Sequence, residues 1–205
     1  MRVALHTYEV MDERAEMLGV LTTVLAEVGA AHCLIGGIAV GYHARLRATV
    51  DVDLLISGRK TRRVEAALQT RGYVVVRHDG MLRVYPFDSD PAKVESIADL
   101  VEWEANEALR EAAKTALQAE VLGQTVSIVS RGALVALKYL AAVSSTRRVG
   151  DRYQDVADIS RILDKQFGED DEAEALRIAD LMHPGAREEL LRMIDDLRND
   201  RPVKV

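Results

Sequence analysis

At 205 residues the chain suffices for one large domain or two small ones, and no apolar run in it is long enough to span a membrane. Hydrophobic residues make up 48% and charged residues 29%, an ordinary globular balance, while a net charge of −6 argues against broad, nonspecific DNA binding. The only cysteine, Cys33, rules out an internal disulfide, and the scattered histidines offer no zinc-site spacing.

The periodicity predicts a first helix over Glu9 to Val28, since Met11, Ala15, Leu18, Leu21, Leu25 and Val28 recur at helical spacing. Thr7 is its candidate N-cap and Gly29 its C′ residue. Cys33, Leu34 and Ile35 read as a short buried strand. Gly36 and Gly37 follow it, and a helix-like segment from Ile38 to Ala44 comes next. Glycine permits close approach of a ligand to the backbone, and a helix N-terminus offers free N–H groups to a phosphate.

The next apolar run, ending near Ile56, contains Asp51 and Asp53. Acidic residues are depleted from strands, and period two places these two on one face. Paired carboxylates raise one another's pKa, and a divalent cation such as Mg²⁺ or Mn²⁺ is the usual relief. Thr49 shares that face and can hydrogen-bond a carboxylate, although a β-branched residue also simply suits a strand.

Ser57-Gly58 reads as a turn and Thr61 to Thr70 as a helix closed by Gly72. Tyr73 to Arg77 and Met81 to Phe87 read as strands of a hairpin turning at Asp79-Gly80. Asp88 and Asp90 read as turn residues, Lys93 to Ile97 as a short strand, and Ala98 to Ala113 as a loop passing into a helix. A second hairpin is predicted from Leu117 to Ile128 about Leu122-Gly123. Beyond it the pattern is helical. Ser130 caps a helix through Ala141, a second runs from Asp151 to Phe167 and ends at Gly168, and two short helices flank Pro184-Gly185. The expected class is α+β: a mixed β-sheet core with flanking helices over residues 1–129, then a helical C-terminal part over 130–205.

Gly36-Gly37 followed by Arg47-x-Thr49-x-Asp51-x-Asp53 resembles the polymerase-β-type nucleotidyltransferases. Within them the string looks most like the small bacterial branch holding the abortive-infection type IV toxins and the aminoglycoside nucleotidyltransferases. The resemblance covers roughly residues 30 to 165. It implies transfer of a nucleoside monophosphate from an NTP to a hydroxyl, with Asp51 and Asp53 as metal ligands. It further implies that Arg47, with Gly36, Gly37 and Thr49, serves the nucleotide. A third carboxylate, acting as metal ligand or base, is expected on a later strand. Glu95 occupies the matching place, where the family more often has Asp.

In the toxin-like branch a lysine on the helix after the second hairpin and a later Arg/Asp-rich helix start serve nucleotide binding. Lys138, then Asp151-Arg152-x-x-Asp155-x-x-Asp158, matches that arrangement, with Lys138 and Asp155 as the implied nucleotide-binding residues. Without the resemblance, Lys138 reads as a snorkelling side chain, and the Asp151, Asp155 and Asp158 series as complements of the helix dipole. The acceptor expected from the toxin-like branch is tRNA or protein, with a separately encoded antitoxin as partner. The alternatives are a small-molecule acceptor of the aminoglycoside type, or a catalytically silent nucleotide-binding or interaction protein on this fold. The lone cysteine and the lack of a signal-peptide pattern lead us to expect a cytoplasmic protein.

Overall fold

The computed structural model describes residues 2–45, 49, 51–163 and 166–204, with side chains from Glu13 onward. Helix α1 runs Arg2–Val28, longer than its periodicity predicted, so Thr7 lies within it and not at its cap. Nothing between Arg2 and Thr7 is a Gly or Pro, and such a segment propagates a helix once the next turns are packed. Leu18, Leu21 and Leu25 are fully buried along one face. Each such burial stabilises by about 1.5–3 kcal/mol. The helix ends in a Schellman turn: Gly29 has φ +65, and the Ala30 N–H donates to the Leu25 carbonyl at 2.8 Å. The Lys60 ammonium donates to the Val28 and Gly29 carbonyls there, at 3.1 and 2.7 Å. A cation is thus seated at the negative end of the helix.

Strand β1 (His32–Leu34) leads into α2 (Gly36–His43), and β2 (Val52–Ile56) into α3 (Thr61–Thr70). Strands β3 (Val74–His78) and β4 (Met81–Tyr85) form the expected two-residue hairpin at Asp79-Gly80. The next strand is not Lys93 to Ile97, which is turn and irregular chain, but β5, Ala98–Glu102. Helix α4 (Glu107–Lys114) follows, then β6 (Leu117–Val121) and β7 (Gln124–Ile128), the second expected hairpin.

The strands form one mixed sheet in the order β3-β4-β5-β2-β1-β7-β6. Strand β2 pairs parallel with β5 and antiparallel with β1, which in turn runs parallel to β7.

The helical part comprises α5 (Arg131–Ala142), α6 (Val149–Ile162), α7 (Glu169–Ala179) and α8 (Ala186–Arg198). Ser130 caps α5 by accepting the Ala133 N–H at 3.2 Å. Helix α6 stops at Ile162, short of the predicted Phe167, and Gly168 starts α7 instead of ending α6. Glu169 to Glu172 form the first turn of α7, where acidic side chains complement the helix dipole. Helix α5 is buried nearly all round, from Gly132 to Tyr139, and packs against α6 and α7. Buried apolar side chains from the sheet and from these helices form one continuous cluster.

Candidate active site

The link from β1 to α2 closes directly over β2. The Ile35 N–H donates to the Asp53 carbonyl at 3.0 Å. Gly36 then adopts φ +66, and a Cβ there would lie 1.8 Å from Asp53 Oδ2. Only glycine fits between the helix start and that carboxylate. Gly37 is buried in the first turn of α2.

Asp51 immediately precedes β2, and its Oδ1 accepts the buried Thr49 hydroxyl at 3.0 Å. Arg47 lies outside the described residues. Parallel pairing of β2 with β5 sets Asp99 in register with Asp53, so the two side chains share a sheet face. Asp99 Oδ1 is buried and accepts no hydrogen bond. Its Oδ2 stands 3.6 Å from the Arg83 guanidinium, directly opposite on β4.

Burial, and next the Asp51 charge, push the Asp53 carboxyl up to about 7; Asp99 adds to the rise. Burial also raises the Asp99 carboxyl, against the pull of a Ser96 hydrogen bond and Arg83. Glu95, by contrast, is exposed in the loop before β5. Asp88 and Asp90 are exposed turn residues, and Asp90 accepts the Ala92 N–H at 3.1 Å while pairing with Lys93.

Facing this acidic site is a buried ionic cluster from α5 and α6. The Lys138 ammonium stands 2.9 Å from Asp155 Oδ1 and 2.9 Å from Asp158 Oδ2. Burial alone would depress its pKa, but the two carboxylates outweigh burial and hold it above the ordinary lysine value. Asp158 also pairs with Arg161 at 2.9 Å and accepts from Gln154 at 3.1 Å. The positive charges of Lys138 and Arg147 both act on Asp53, so cluster and carboxylates belong to one electrostatic site.

The donor set fits a hard divalent cation. Asp51 and Asp53 offer carboxylate oxygens whose mutual repulsion such an ion would relieve. Among the described residues, no three His, Cys, Asp or Glu side chains converge closely enough to hold an ion unaided. Magnesium commonly takes one or two carboxylates and completes its shell with water and substrate phosphates.

Sequence reasoning missed Asp99. Its signal was the one that marked Asp53, an acid inside an apolar run (Ile97, Ala98, Leu100, Val101), but neighbouring glutamates made that run read as loop and helix. Asp158 was visible only as one of a series of acids at a helix start.

A family model described as an uncharacterised nucleotidyltransferase matches residues 15–193, and the chain belongs to that family. Comparison by sequence with curated proteins gives no match. Among solved structures, the fold is similar to the antibiotic-resistance factor ANT(2'')-Ia in solution. That likeness has TM-score 0.58 and 17% identity, and covers 82% of this chain and 92% of that one. The crystal structure of ANT(2'')-Ia with adenylyl-2''-tobramycin is similar at TM-score 0.57 and 16% identity, covering 82% and 98%. An antigenic nucleotidyltransferase-like protein from Paracoccidioides brasiliensis is similar at TM-score 0.51 and 18% identity, covering 90% and 93%. At these identities the likenesses establish the nucleotidyltransferase-like α+β fold.

Proposed function

We propose that the protein transfers a nucleoside monophosphate from an NTP to an acceptor hydroxyl, using Mg²⁺ or Mn²⁺ and the carboxylates of Asp51, Asp53 and Asp99. The observation that carries this reading is the register of Asp99 with Asp53, beside Asp51 and under the glycine at position 36. Asp51 and Asp53 would hold the metal, which supplies neutralisation of phosphate charge. Gly36 and Gly37 let the triphosphate approach the start of α2. Asp99, with an unengaged buried oxygen and a raised pKa, takes the proton from the acceptor hydroxyl. The acceptor oxygen bonds to the α-phosphorus, the bond from that phosphorus to the β-phosphate bridge oxygen breaks, and pyrophosphate leaves. Asp99 replaces Glu95 as the third carboxylate in this reading.

The match of Lys138 and Asp155 to the toxin-like branch supports tRNA or protein as acceptor, with an antitoxin as partner. The fold likeness to a protein solved with adenylyl-tobramycin supports a second reading, a small cationic acceptor drawn to the acidic face. The silent-binder alternative rests on the departure at Glu95, and the register of Asp99 with Asp53 supports the active reading over it.

The test is incubation with each α-phosphate-labelled NTP, Mg²⁺ and, separately, total bacterial RNA or tobramycin. Wild type should label an acceptor or itself; Asp53→Ala and Asp99→Asn should lose at least about 100-fold. Full activity in Asp99→Asn together with loss in Glu95→Ala would return the role to Glu95. No label from wild type on any acceptor would overturn nucleotidyl transfer.

A further inference from the structure

The β3-β4-β5 side of the sheet carries a cation that neither the fold nor the reaction above employs. Arg83 lies between Leu82 and Val84, which are buried on the opposite face of β4. Register sets it opposite Asp99 on β5 and Val76 on β3. Its side chain is 43% exposed, and its Nε stands 3.6 Å from Asp99 Oδ2. That Nε is buried and donates no hydrogen bond, and Asp99 Oδ1 accepts none, so charge alone holds the pair. Arg77, on the other face of the same hairpin, is by contrast engaged, donating to Glu65 at 2.5 Å. Half-buried Val76, Met81 and Val101 share the face of Arg83. A positive charge on exposed His78, opposite Met81, also acts on Asp99.

We propose that Arg83 selects the acceptor: a compound whose reacting hydroxyl neighbours a phosphate, with that phosphate held by the Arg83 guanidinium. This rests on the nucleotidyl-transfer reading, with Asp99 as the base. A hydroxyl that gives its proton to Asp99 lies beside Arg83, because the guanidinium stands against that carboxyl. A divalent ion on Asp51 and Asp53 neutralises those two carboxylates. Asp99 and Arg83 are then left as a pair without net charge, and the pull on a cationic acceptor is gone. What the pair still offers is the free donors of the guanidinium, whose fork matches phosphate oxygens. Val76, Met81 and Val101 give the remainder of such an acceptor an apolar floor. The transfer step is unchanged: the acceptor oxygen bonds to the α-phosphorus, its proton passes to Asp99, and pyrophosphate leaves. The same phosphate chemistry is found at an RNA terminus and on a free sugar phosphate, and the test separates the two.

The test supplies α-phosphate-labelled ATP, GTP, CTP and UTP with Mg²⁺ and one acceptor at a time: ribose 5-phosphate, ribose, total bacterial RNA or tobramycin. Wild type should label ribose 5-phosphate or RNA and leave ribose and tobramycin unlabelled, and the acceptor that takes label identifies the source of the phosphate. With that acceptor, Arg83→Gln should raise the acceptor KM by about 10- to 100-fold, the usual cost of a lost charge-assisted hydrogen bond, and leave the KM for NTP unchanged. Arg83→Lys should recover part of the loss. Arg77→Gln, which removes a neighbouring cation from the opposite face, should match wild type. Label on tobramycin, on ribose as readily as on its phosphate, or on protein alone would overturn the proposal and leave nucleotidyl transfer intact. So would an unchanged acceptor KM in Arg83→Gln, an equal rise in both KM values, or the same effect in Arg77→Gln. A wild type that labels nothing would overturn both.

Discussion

Two charged regions face each other here, and they manage charge in opposite ways. On the sheet, Asp51, Asp53 and Asp99 gather like charges with few counter-ions, and the Asp53 carboxyl rises to about 7. On the helices, Lys138 is more deeply buried yet fully compensated, between Asp155 and Asp158. Burial alone thus does not mark an active centre. The helical cluster meets its buried cation with carboxylates of its own, whereas the sheet carboxylates carry a like-charge imbalance that a cation would remove.

Removing Lys138 tests the helical half of that contrast most severely. Lys138→Met leaves Asp155 and Asp158 buried without their shared cation and should cost about 3–5 kcal/mol in urea unfolding. A loss below about 1 kcal/mol would mean that Arg147 and Arg161 suffice, and that Lys138 is free for a different task.

The sheet half should respond with the opposite sign. Asp53 has a folded pKa of about 7 against an ordinary value of 3.8. The folded state binds this proton more tightly, so the group's contribution is most favourable below pH 3.8 and is lost as pH rises through about 7. Asp53→Asn should therefore melt roughly 2–6 °C above wild type at pH 8, with the gap closing toward pH 4. Added Mg²⁺ should raise the wild-type melting temperature at pH 8 and leave that of Asp53→Asn unmoved. Thermal melts from pH 4 to 8 with and without Mg²⁺ check both; a destabilised Asp53→Asn would mean that the aspartate is a structural residue.

The smallest expected effect sharpens the boundary of the site. Glu95 is exposed in the loop before β5, so Glu95→Ala should shift stability by less than about 0.5 kcal/mol and leave transfer unchanged. A large loss of labelling in that variant would show that the loop before β5 closes onto the substrate.

The sequence by itself determined what depends on neighbours along the chain. Both hairpins turn where Asp79-Gly80 and Leu122-Gly123 placed them, because a two-residue turn is specified by its own backbone preferences. Helix α3 begins and ends as read, and Ser130 caps α5. Gly36-Gly37 and the acid at Asp53 inside an apolar run were legible for the same reason, since each is a feature of the local sequence; Asp51, expected on the same strand, immediately precedes β2.

What only the tertiary structure decided are the relations between distant segments. The strand after the first hairpin could be Lys93 to Ile97 or Ala98 to Glu102 on local pattern, and pairing with β2 and β4 selects the second. That one choice of register replaces exposed Glu95 with Asp99 as the partner of Asp53, because a strand's position along its neighbours sets which side chains meet. The meeting of Lys138 with Asp155 and Asp158 is likewise fixed by packing: two helices bury a cation and two carboxylates together, where the cost of burying any one alone forces their pairing.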